Sequence, residues 1–445
     1  MITARAFSTR HYAVFGLART GLSVVAALRA AGATVTVWDD DAKKRAAIED
    51  VQVHVADLNT TDLSAFDGII VSPGVPLNTH PLAARAAAAG VAVLGDIELF
   101  AHARAELPPH KVVGITGTNG KSTTTALIHH ILAHAGVPAA MGGNIGLPIL
   151  SQDALPEGGV YVLELSSFQI DLTQSLASDV AILTNITPDH LDRYEGMAGY
   201  AASKERLFDM QDEGATAIFM SDDDYTAAIA KERGGVPVSL DAVLAEGISL
   251  VNGAAYIDGE PLGYQVDWPS LAGPHNAQNA VAAIATTRAL GLEPAAIKAG
   301  LETYPGLPHR MERVAEINGV LYVNDSKATN PTSTAPGLAA YPAIHWIVGG
   351  KRKTDELDAC LPYLDHVRAA YVIGDAETVY AHLLGAYVPV IRAGTVERAT
   401  QLAAAAAKSG EVVLLSPACA SYDQFRDFEQ RGDVFKGAVQ ELGKA

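Results

Sequence analysis

Short runs of β-branched and aromatic residues alternate with alanine-rich stretches along nearly the whole chain. That alternation restricts the fold more than any other feature. The runs YAVFG, ATVTVW, GIIVSPG, VAVLG, KVVGITG, VYVLELS, DVAILTN and ATAIFM read as buried strands that close on Gly, Ser, Asn or Asp. Between them, stretches such as GLSVVAALRAAG and HPLAARAAAAG carry apolar residues at helical spacing. Strands alternating with helices imply an α/β fold of parallel sheets covered on both faces. Ligands of such sheets sit beyond the carboxyl ends of the strands, so the residues closing each strand are the candidates for chemistry. A length of 445 residues suggests about three domains. Gly/Pro-marked breaks fall near GDIELFAHARAELPPHKVV and TYPGLPHRME, after which the alternation restarts with GVLYVND, IHWIVGG, AAYVIGD, VPVIRAG and EVVLLSPA. The expected modules are 1–98, 99–306 and 307–445.

Lys and Arg total 32 against 50 Asp and Glu, a net charge of −18. So acidic a chain is a poor binder of phosphate backbones, which argues against a nucleic-acid partner. Cys360 and Cys419 form no CxxC pair and no disulfide framework, which fits a reducing compartment. No apolar run reaches the roughly 18 residues of a membrane helix. No signal-peptide stretch precedes the first strand. A cytoplasmic protein is expected.

The strongest local signal is KVVGITGTNGKSTTTALIHHILAHAG. A strand runs into a Gly-rich turn, and Lys121 and Ser122 open a helix. Gly117 and Gly120 allow backbone shapes that turn N–H groups toward phosphate oxygens, flanked by Thr118, Asn119 and Thr123. The helix start adds positive potential there. Lys121 would reach the β- and γ-phosphates and Ser122 would hold Mg²⁺. Ile115 stands where the strict GxxxxGK[ST] pattern has its first glycine. No Asn-Lys-x-Asp motif occurs, so ATP is favoured over GTP. Downstream, Glu164 closes an apolar strand, where a carboxylate is costly unless it meets a cation. TNITPDHLDR presents Asn185, Asp189, His190 and Asp192 at the next strand end. Read alone, Glu164 could be a salt-bridged sheet residue, His190 a loop cap and Lys204 a solvent-facing lysine. Near the N-terminus, GLARTG followed by VTVWDD resembles a dinucleotide fingerprint with Ala18 in place of a glycine. Its diphosphate turn at Leu17–Gly21 and the ribose acid Asp39 suit NAD or UDP equally.

Taken together, TGTNGKST, GGNIG, LELSSFQ, TNITPDHLDRY, GPHNAQN, LPHR, NDSKATNP and SPACASYDQF resemble the motifs of the Mur ligases, in the family's order from about residue 16 to about residue 432. SSFQ and SPACASYDQF resemble the members that add D-glutamate. The resemblance implies a Rossmann-like N-terminal domain, a central P-loop ATPase-like domain with a parallel sheet, and a Rossmann-like C-terminal domain. It implies an ATP-dependent amide ligase acting on UDP-N-acetylmuramoyl-L-alanine and D-glutamate, with two Mg²⁺ ions and a carbamylated Lys204, working as a monomer without nucleic acid or membrane. Lys121, Glu164, His190 and Lys204 would be catalytic, with Ser122, Glu164, His190 and Lys204 around the metals. Asn279, Arg310 and Asp325 would join the phosphate loop on ATP. Leu17, Arg19, Thr20, Asp39, Asp40, Ser72, Asn144, Gln169 and His190 would meet the UDP-substrate. Thr329, Lys353, Ser421, Tyr422 and Phe428 would meet D-glutamate. Tyr422 stands where the family often has Leu, and Asp41 where some relatives carry a basic residue. A folylpolyglutamate-type ligase and a catalytically silent UDP-sugar sensor are the alternatives.

Overall fold

The computed structural model describes residues 1–444 apart from 49, 51, 221, 222 and 353–355, and apart from the side chain at 275. It divides into two compact units, Met1–Tyr304 and Pro305–Ala445.

The first unit holds two five-stranded sheets. Strands β1 (His11–Phe15), β2 (Thr34–Trp38), β3 (His54–Val55), β4 (Gly68–Val71) and β5 (Val93–Leu94) lie in the order β3-β2-β1-β4-β5. All pairings are parallel. Helices α1 (Arg19–Ala30), α2 (Ala42–Ala46), α3 (Pro81–Ala89) and α4 (Asp96–Ala103) accompany them. Strands β6 (His110–Thr116), β7 (Ala139–Gly143), β8 (Gly159–Glu164), β9 (Val180–Leu183) and β10 (Thr216–Phe219) lie in the order β10-β9-β6-β8-β7, again all parallel. Helices α5 (Lys121–His134), α6 (Ser167–Asp171), α7 (Gly196–Asp209) and α8 (Asp224–Arg233) belong to this sheet. Strand β8 is buried along its whole length, as near-continuous apolar runs in parallel sheets are. In each sheet the strand order reverses beside the central strand, at β1/β4 and at β6/β9, which is where such sheets open a ligand crevice.

A smaller sheet, β11 (Val238–Ser239), β12 (Ile248–Val251), β13 (Ala254–Ile257) and β14 (Glu260–Tyr264), follows. It is mostly antiparallel and departs from the expected strand–helix alternation. Its two tight turns are Asn252-Gly253, with φ 50° and 79°, and Asp258-Gly259, with φ 50° and 79°. Asn-Gly and Asp-Gly tolerate positive φ at both central residues, as two-residue hairpins require. Helices α9 (Pro274–Ala289) and α10 (Pro294–Thr303) complete the unit.

The second unit is a six-stranded sheet of β15 (Glu312–Ile317), β16 (Val320–Asn324), β17 (Ile344–Gly349), β18 (Val367–Ile373), β19 (Val390–Gly394) and β20 (Val412–Leu415), in the order β15-β16-β20-β17-β18-β19. Only β15 is antiparallel. Helices α11 (Pro331–Ala339), α12 (Glu377–Leu384), α13 (Val396–Ala406) and α14 (Phe428–Leu442) cover two apolar faces. Trp346 and Trp268 are packing residues with no exposure. Trp38 carries the Arg45 guanidinium 4.1 Å over its ring. Both cysteines are free and buried. No helix among the described residues is long and apolar enough to cross a membrane.

Helix α4 joins the two sheets of the first unit. Glu98 on it accepts from Gln174 N at 2.6 Å and from Ser175 N and Oγ at 3.0 and 2.7 Å, with His102 Nε2 at 3.0 Å. Burial alone would raise this carboxyl, but the bonds from His102, Gln174 and Ser175 outweigh it and hold it at about 2. A depressed native pKa stabilises the fold above the ordinary value of 4.5, and that stability drains as pH falls through the native value. Glu98→Gln is therefore expected to lower the melting temperature at pH 7 and to flatten its decline between pH 4.5 and pH 2. An unchanged acid slope in a melting series would assign that slope to other groups.

Candidate active site

The phosphate loop leaves the central strand β6 and enters α5. Gly117 has φ 142° and Gly120 φ 81°. A Cβ at Gly117 would lie 1.9 Å from Thr184 Oγ1, and one at Gly120 2.5 Å from Asn279 Oδ1. The loop is thus pressed against the end of β9 and against α9, where only glycine fits. Thr118 N donates to Asn185 O and Asn119 N to Asn185 Oδ1, both at 2.8 Å. Thr184 Oγ1 donates to Asn119 O at 2.6 Å. Because Asn185 takes these two N–H groups, a phosphate would be met at the α5 start, where the first turn of a helix has no intrahelical acceptors for its N–H donors. Ser122 is buried and Thr123 half-buried there. Asn279 is buried, accepting from Thr124 Oγ1 at 3.1 Å and donating to Asn276 Oδ1 at 3.1 Å. It braces the loop from behind.

Lys121 Nζ donates to Gly117 O at 2.8 Å and Thr118 O at 2.7 Å. Lys204, on α7, donates to the same Gly117 O at 2.9 Å, with its ammonium 4.5 Å from the Tyr200 ring centre. Lys204 is only 1% exposed. Burial, and after it the charge of Lys121, bring its pKa down to about 7. The solvent-facing reading of Lys204 is therefore overturned: α7 turns this lysine inward against the loop.

Glu164 closes β8, paired with Ile115 and Gly143 on its two neighbours. Its Oε1 accepts from Asn144 Nδ2 at 2.8 Å. Its Oε2 is buried and has no hydrogen-bond partner among the described residues. No salt bridge to Glu164 occurs among them either, which leaves a buried acceptor suited to a divalent cation. His190 has φ 51° and is half-exposed, with Nε2 3.5 Å from Asp189 Oδ2 and its ring 4.9 Å from that of Phe168. A cavity of about 240 Å³ brings Lys121, Asn144, Asp189, His190 and Lys204 together. Among the described residues no three His, Cys, Asp or Glu side chains converge on a metal site. Hard oxygen donors from Ser122, Glu164 and a modified Lys204 would have to join His190.

A second cavity, of about 520 Å³, lies at the β1/β4 switch. Its walls include Arg19, Thr20, Asp39, Asp40, Ser72, Asn144 and Gln169. Pro73, Gly74 and Asn144 line both cavities, so the two adjoin. Ser72 Oγ donates to Gly16 O at 2.9 Å, bracing the turn. The Leu17 side chain is buried in the apolar core. Its N–H donates to Asp39 Oδ2 at 2.7 Å, while Asp41 N reaches Oδ1 at 2.9 Å and Lys44 Nζ reaches Oδ2 at 3.3 Å. Burial would raise Asp39, but these bonds outweigh it and hold the carboxyl below its ordinary range. Asp39 thus fastens the turn to β2, and Asp40 is the more exposed acid. Lys44 and His80 also line this cavity. Sequence reasoning missed both, although the lysines of DDDAKKR offered a cation one helical turn beyond Asp41.

In the second unit, NDSKATN follows β16 and SPACASYDQF follows β20, at the carboxyl ends of adjacent parallel strands. Asp325 is buried, accepting from Ser416 Oγ at 2.7 Å and Met311 N at 3.2 Å. Burial still pushes it up to about 7. Arg310 is exposed, Thr329 and Phe428 are half-buried, Ser421 is buried and Tyr422 is 71% exposed. Lys353 lies outside the described residues. Arg431, unremarked in the sequence, donates to Ser326 Oγ and O at 3.0 and 2.8 Å and to Cys419 O and Ala420 O at 3.0 and 3.3 Å. It ties the two loops together.

Known proteins match this organisation. Residues 10–95 match the MurD-like N-terminal domain of Mur ligases, 115–287 the Mur ligase middle domain and 309–419 the Mur ligase glutamate ligase domain. The UDP-N-acetylmuramoylalanine–D-glutamate ligase of Novosphingobium aromaticivorans is 58% identical over 442 residues, 99% of this chain and 97% of that one. The enzyme of the same name from Sphingopyxis alaskensis is 56% identical over 448 residues, covering 100% of both. The crystal structure of the UDP-N-acetylmuramate–alanine ligase MurC of Thermotoga maritima shares the fold, with a TM-score of 0.60 at 17% identity over 97% of this chain and 99% of that one. On these matches and on the loop, cavities and strand ends that carry them, the chain belongs to the Mur ligase family.

Proposed function

We propose that this protein adds D-glutamate to UDP-N-acetylmuramoyl-L-alanine at the expense of ATP, a cytoplasmic step of peptidoglycan precursor synthesis, and that it acts as a monomer built of modules 1–98, 99–306 and 307–445. The observation that carries this reading is the adjoining of two cavities through Asn144, Pro73 and Gly74. One has a diphosphate-type turn, and the other has two lysines on one phosphate-loop carbonyl. A long substrate with a nucleotide at one end and a carboxylate at the other fits such a pair. The names of the relatives at 58% and 56% identity support the choice of substrates.

A carboxylate and an amine do not condense in water, because the amine takes the acid's proton. The alanyl carboxylate would instead attack the γ-phosphorus of ATP, releasing ADP and leaving an acyl phosphate. The D-glutamate amine, as free base, would attack the acyl carbon and expel phosphate as the C–N bond forms. Positioning and charge neutralisation supply most of the acceleration. Lys121 would exchange its two carbonyl acceptors for phosphate oxygens. Arg310, Asp325 and Asn279 would serve the nucleotide, directly or, for Asn279, by holding the loop. Thr329, Lys353, Ser421, Tyr422 and Phe428 would receive D-glutamate, and Arg19, Thr20, Asp40, Ser72 and Gln169 the UDP-substrate.

Ser122, Glu164, His190 and a carbamylated Lys204 would hold two Mg²⁺ ions, which supply charge neutralisation at the phosphates when bound. Carbamylation needs a neutral amine: its lone pair attacks carbon dioxide, and the nitrogen loses a proton to give an N-carboxylate. A Lys204 pKa brought down to about 7 supplies that amine near neutrality. The carbamate would also replace a buried cation beside Lys121 with an anion.

Phosphate release from ATP is expected only with UDP-N-acetylmuramoyl-L-alanine and D-glutamate both present. Release with a folate and glutamate instead would move the chain to the folylpolyglutamate-type reading, and no release with any of these to the silent-sensor reading. Lys121→Ala is expected to lower ADP formation by about 10³-fold or more. Near-normal turnover in that variant would end its phosphate role. Lys204→Ala should be inactive and partly rescued by short carboxylic acids. Full activity without rescue would remove the carbamate.

A further inference from the structure

The segment TNITPDHLDRY leads from β9 toward α7 and carries His190 near its middle. Its first part is tied to the phosphate loop, where Thr118 Oγ1 accepts from Thr187 N at 3.0 Å and donates to Thr187 O at 3.2 Å. Its last part is tied to the segment after β4. Asn78 Nδ2 donates to Asp192 O at 3.0 Å, and Arg193 Nη2 donates to Val75 O at 2.9 Å. Tyr194 OH donates to Asp171 Oδ2, at the end of α6, at 2.8 Å. Between these anchors the chain closes a turn: Arg193 N donates to His190 O at 2.9 Å.

The turn fixes the backbone of His190 and leaves its imidazole half in solvent. The ring is steadied by an aromatic neighbour. Phe168, half-buried on α6, lies with its ring centre 4.9 Å from that of His190. The Arg193 guanidinium carbon stands 4.2 Å from the centre of the same Phe168 ring. Tyr194 stacks on that ring as well, 6.1 Å away and within 12° of parallel. Phe168 and His190 line the 240 Å³ cavity, whereas Arg193 is not part of its wall. A flat guanidinium can stack on an aromatic face and still aim an in-plane N–H at a carbonyl. Arg193 does both, with Phe168 and with Val75 O. An ammonium has no flat face to stack.

We infer that Arg193 is a positioning residue for His190: pinned to Val75 O, its guanidinium holds the Phe168 ring against which the imidazole rests. The backbone of Arg193 fixes one end of His190 and its side chain, through Phe168, fixes the other. The catalytic consequence rests on the metal-ligand role proposed above for His190. The positioning itself is a matter of geometry and can be read without turnover.

The test reads the His190 ring directly, by NMR of the full-length enzyme labelled with ¹³C at histidine Cε1. The His190 signal is the one missing from His190→Gln. In the wild type the ring current of Phe168 displaces it. Arg193→Ala is expected to move it toward the position of a free imidazole. Arg193→Lys, which keeps the charge and loses the flat face, should move it the same way, and it serves if Arg193→Ala does not fold. In phosphate release, Arg193→Ala should lower kcat by about tenfold, the scale of one cation–aromatic contact with one hydrogen bond. KM for ATP and for the UDP-substrate should move less than about threefold. Arg193→Ala added to Phe168→Ala should cost less than about twofold more than Phe168→Ala alone, because the arginine acts through that ring. A His190 signal unmoved in the folded variants, or losses that add in the double variant, would show that Arg193 serves only the stability of the fold and would overturn the inference. A displaced signal with full turnover, or near-normal turnover in His190→Gln, would instead overturn the role of His190 on which the catalytic consequence rests.

Discussion

One carbonyl oxygen, that of Gly117, accepts from both Lys121 and Lys204. Burial, and after it the repulsion of the neighbouring ammonium, lowers the proton affinity of Lys204. The geometry cannot relax away, because Gly117 is wedged against Thr184 and the loop is held by Asn185. The two cations are therefore kept together on one oxygen, with Asp189 on the wall of the same cavity. Such a site suits phosphate oxygens. Glu164 shows the opposite imbalance a short way off, with one oxygen satisfied and the other waiting. A loop that gathers two lysines, and a buried acid with an unmet acceptor, are what phosphoryl transfer with a divalent cation calls for.

The same economy of contacts joins the two sheets of the first unit. Asn144 is bonded to Glu164 and forms part of the walls of both cavities. One side chain thus links both cavities to the buried carboxylate. Helix α4 supplies the second connection. Its two acids sit two residues apart and meet opposite environments. Glu98 is surrounded by donors and stays charged far into acid, whereas burial pushes Asp96, facing few donors, up to about 6. Glu98 secures the seam, and Asp96 is a buried acid at it with no hydrogen-bond partner among the described residues.

Much of this was legible in the sequence, and the gaps have physical causes. Strand ends announce themselves, because a short apolar run that stops abruptly at Gly, Asn or Glu fits a buried parallel strand and little else. Gly117, Glu164 and Asn185 stand at or just past the carboxyl ends of β6, β8 and β9. The hairpin sheet at residues 248–264 was overlooked although NG and DG within alternating apolar residues signal it, since attention to the strand–helix rhythm hid a segment of different period. Lys204 read as a surface lysine because burial on a helix depends on what packs over it, which local pattern does not encode. Asp39 and Asn279 illustrate a related limit. Both stand at expected binding sites and also hold loops there, Asp39 the turn after β1 and Asn279 the start of α5. Residue type at a given spacing tells that a polar group is needed, not whether it faces the ligand or the backbone. Arg431, 105 residues from Ser326, was beyond any local reading.

Arg431 shows how the second unit buries a cation on backbone acceptors. Its buried guanidinium is met by three carbonyls and a hydroxyl. Among the described residues it makes no ion pair. Burial lowers its pKa to about 10, so it remains charged at neutral pH. A carboxylate partner would have cancelled that charge. Carbonyl acceptors satisfy the donors and leave the field intact beneath the SPACAS loop that carries Ser421. The SPACAS loop is thus pinned by a buried guanidinium that also feels the charge of Asp423.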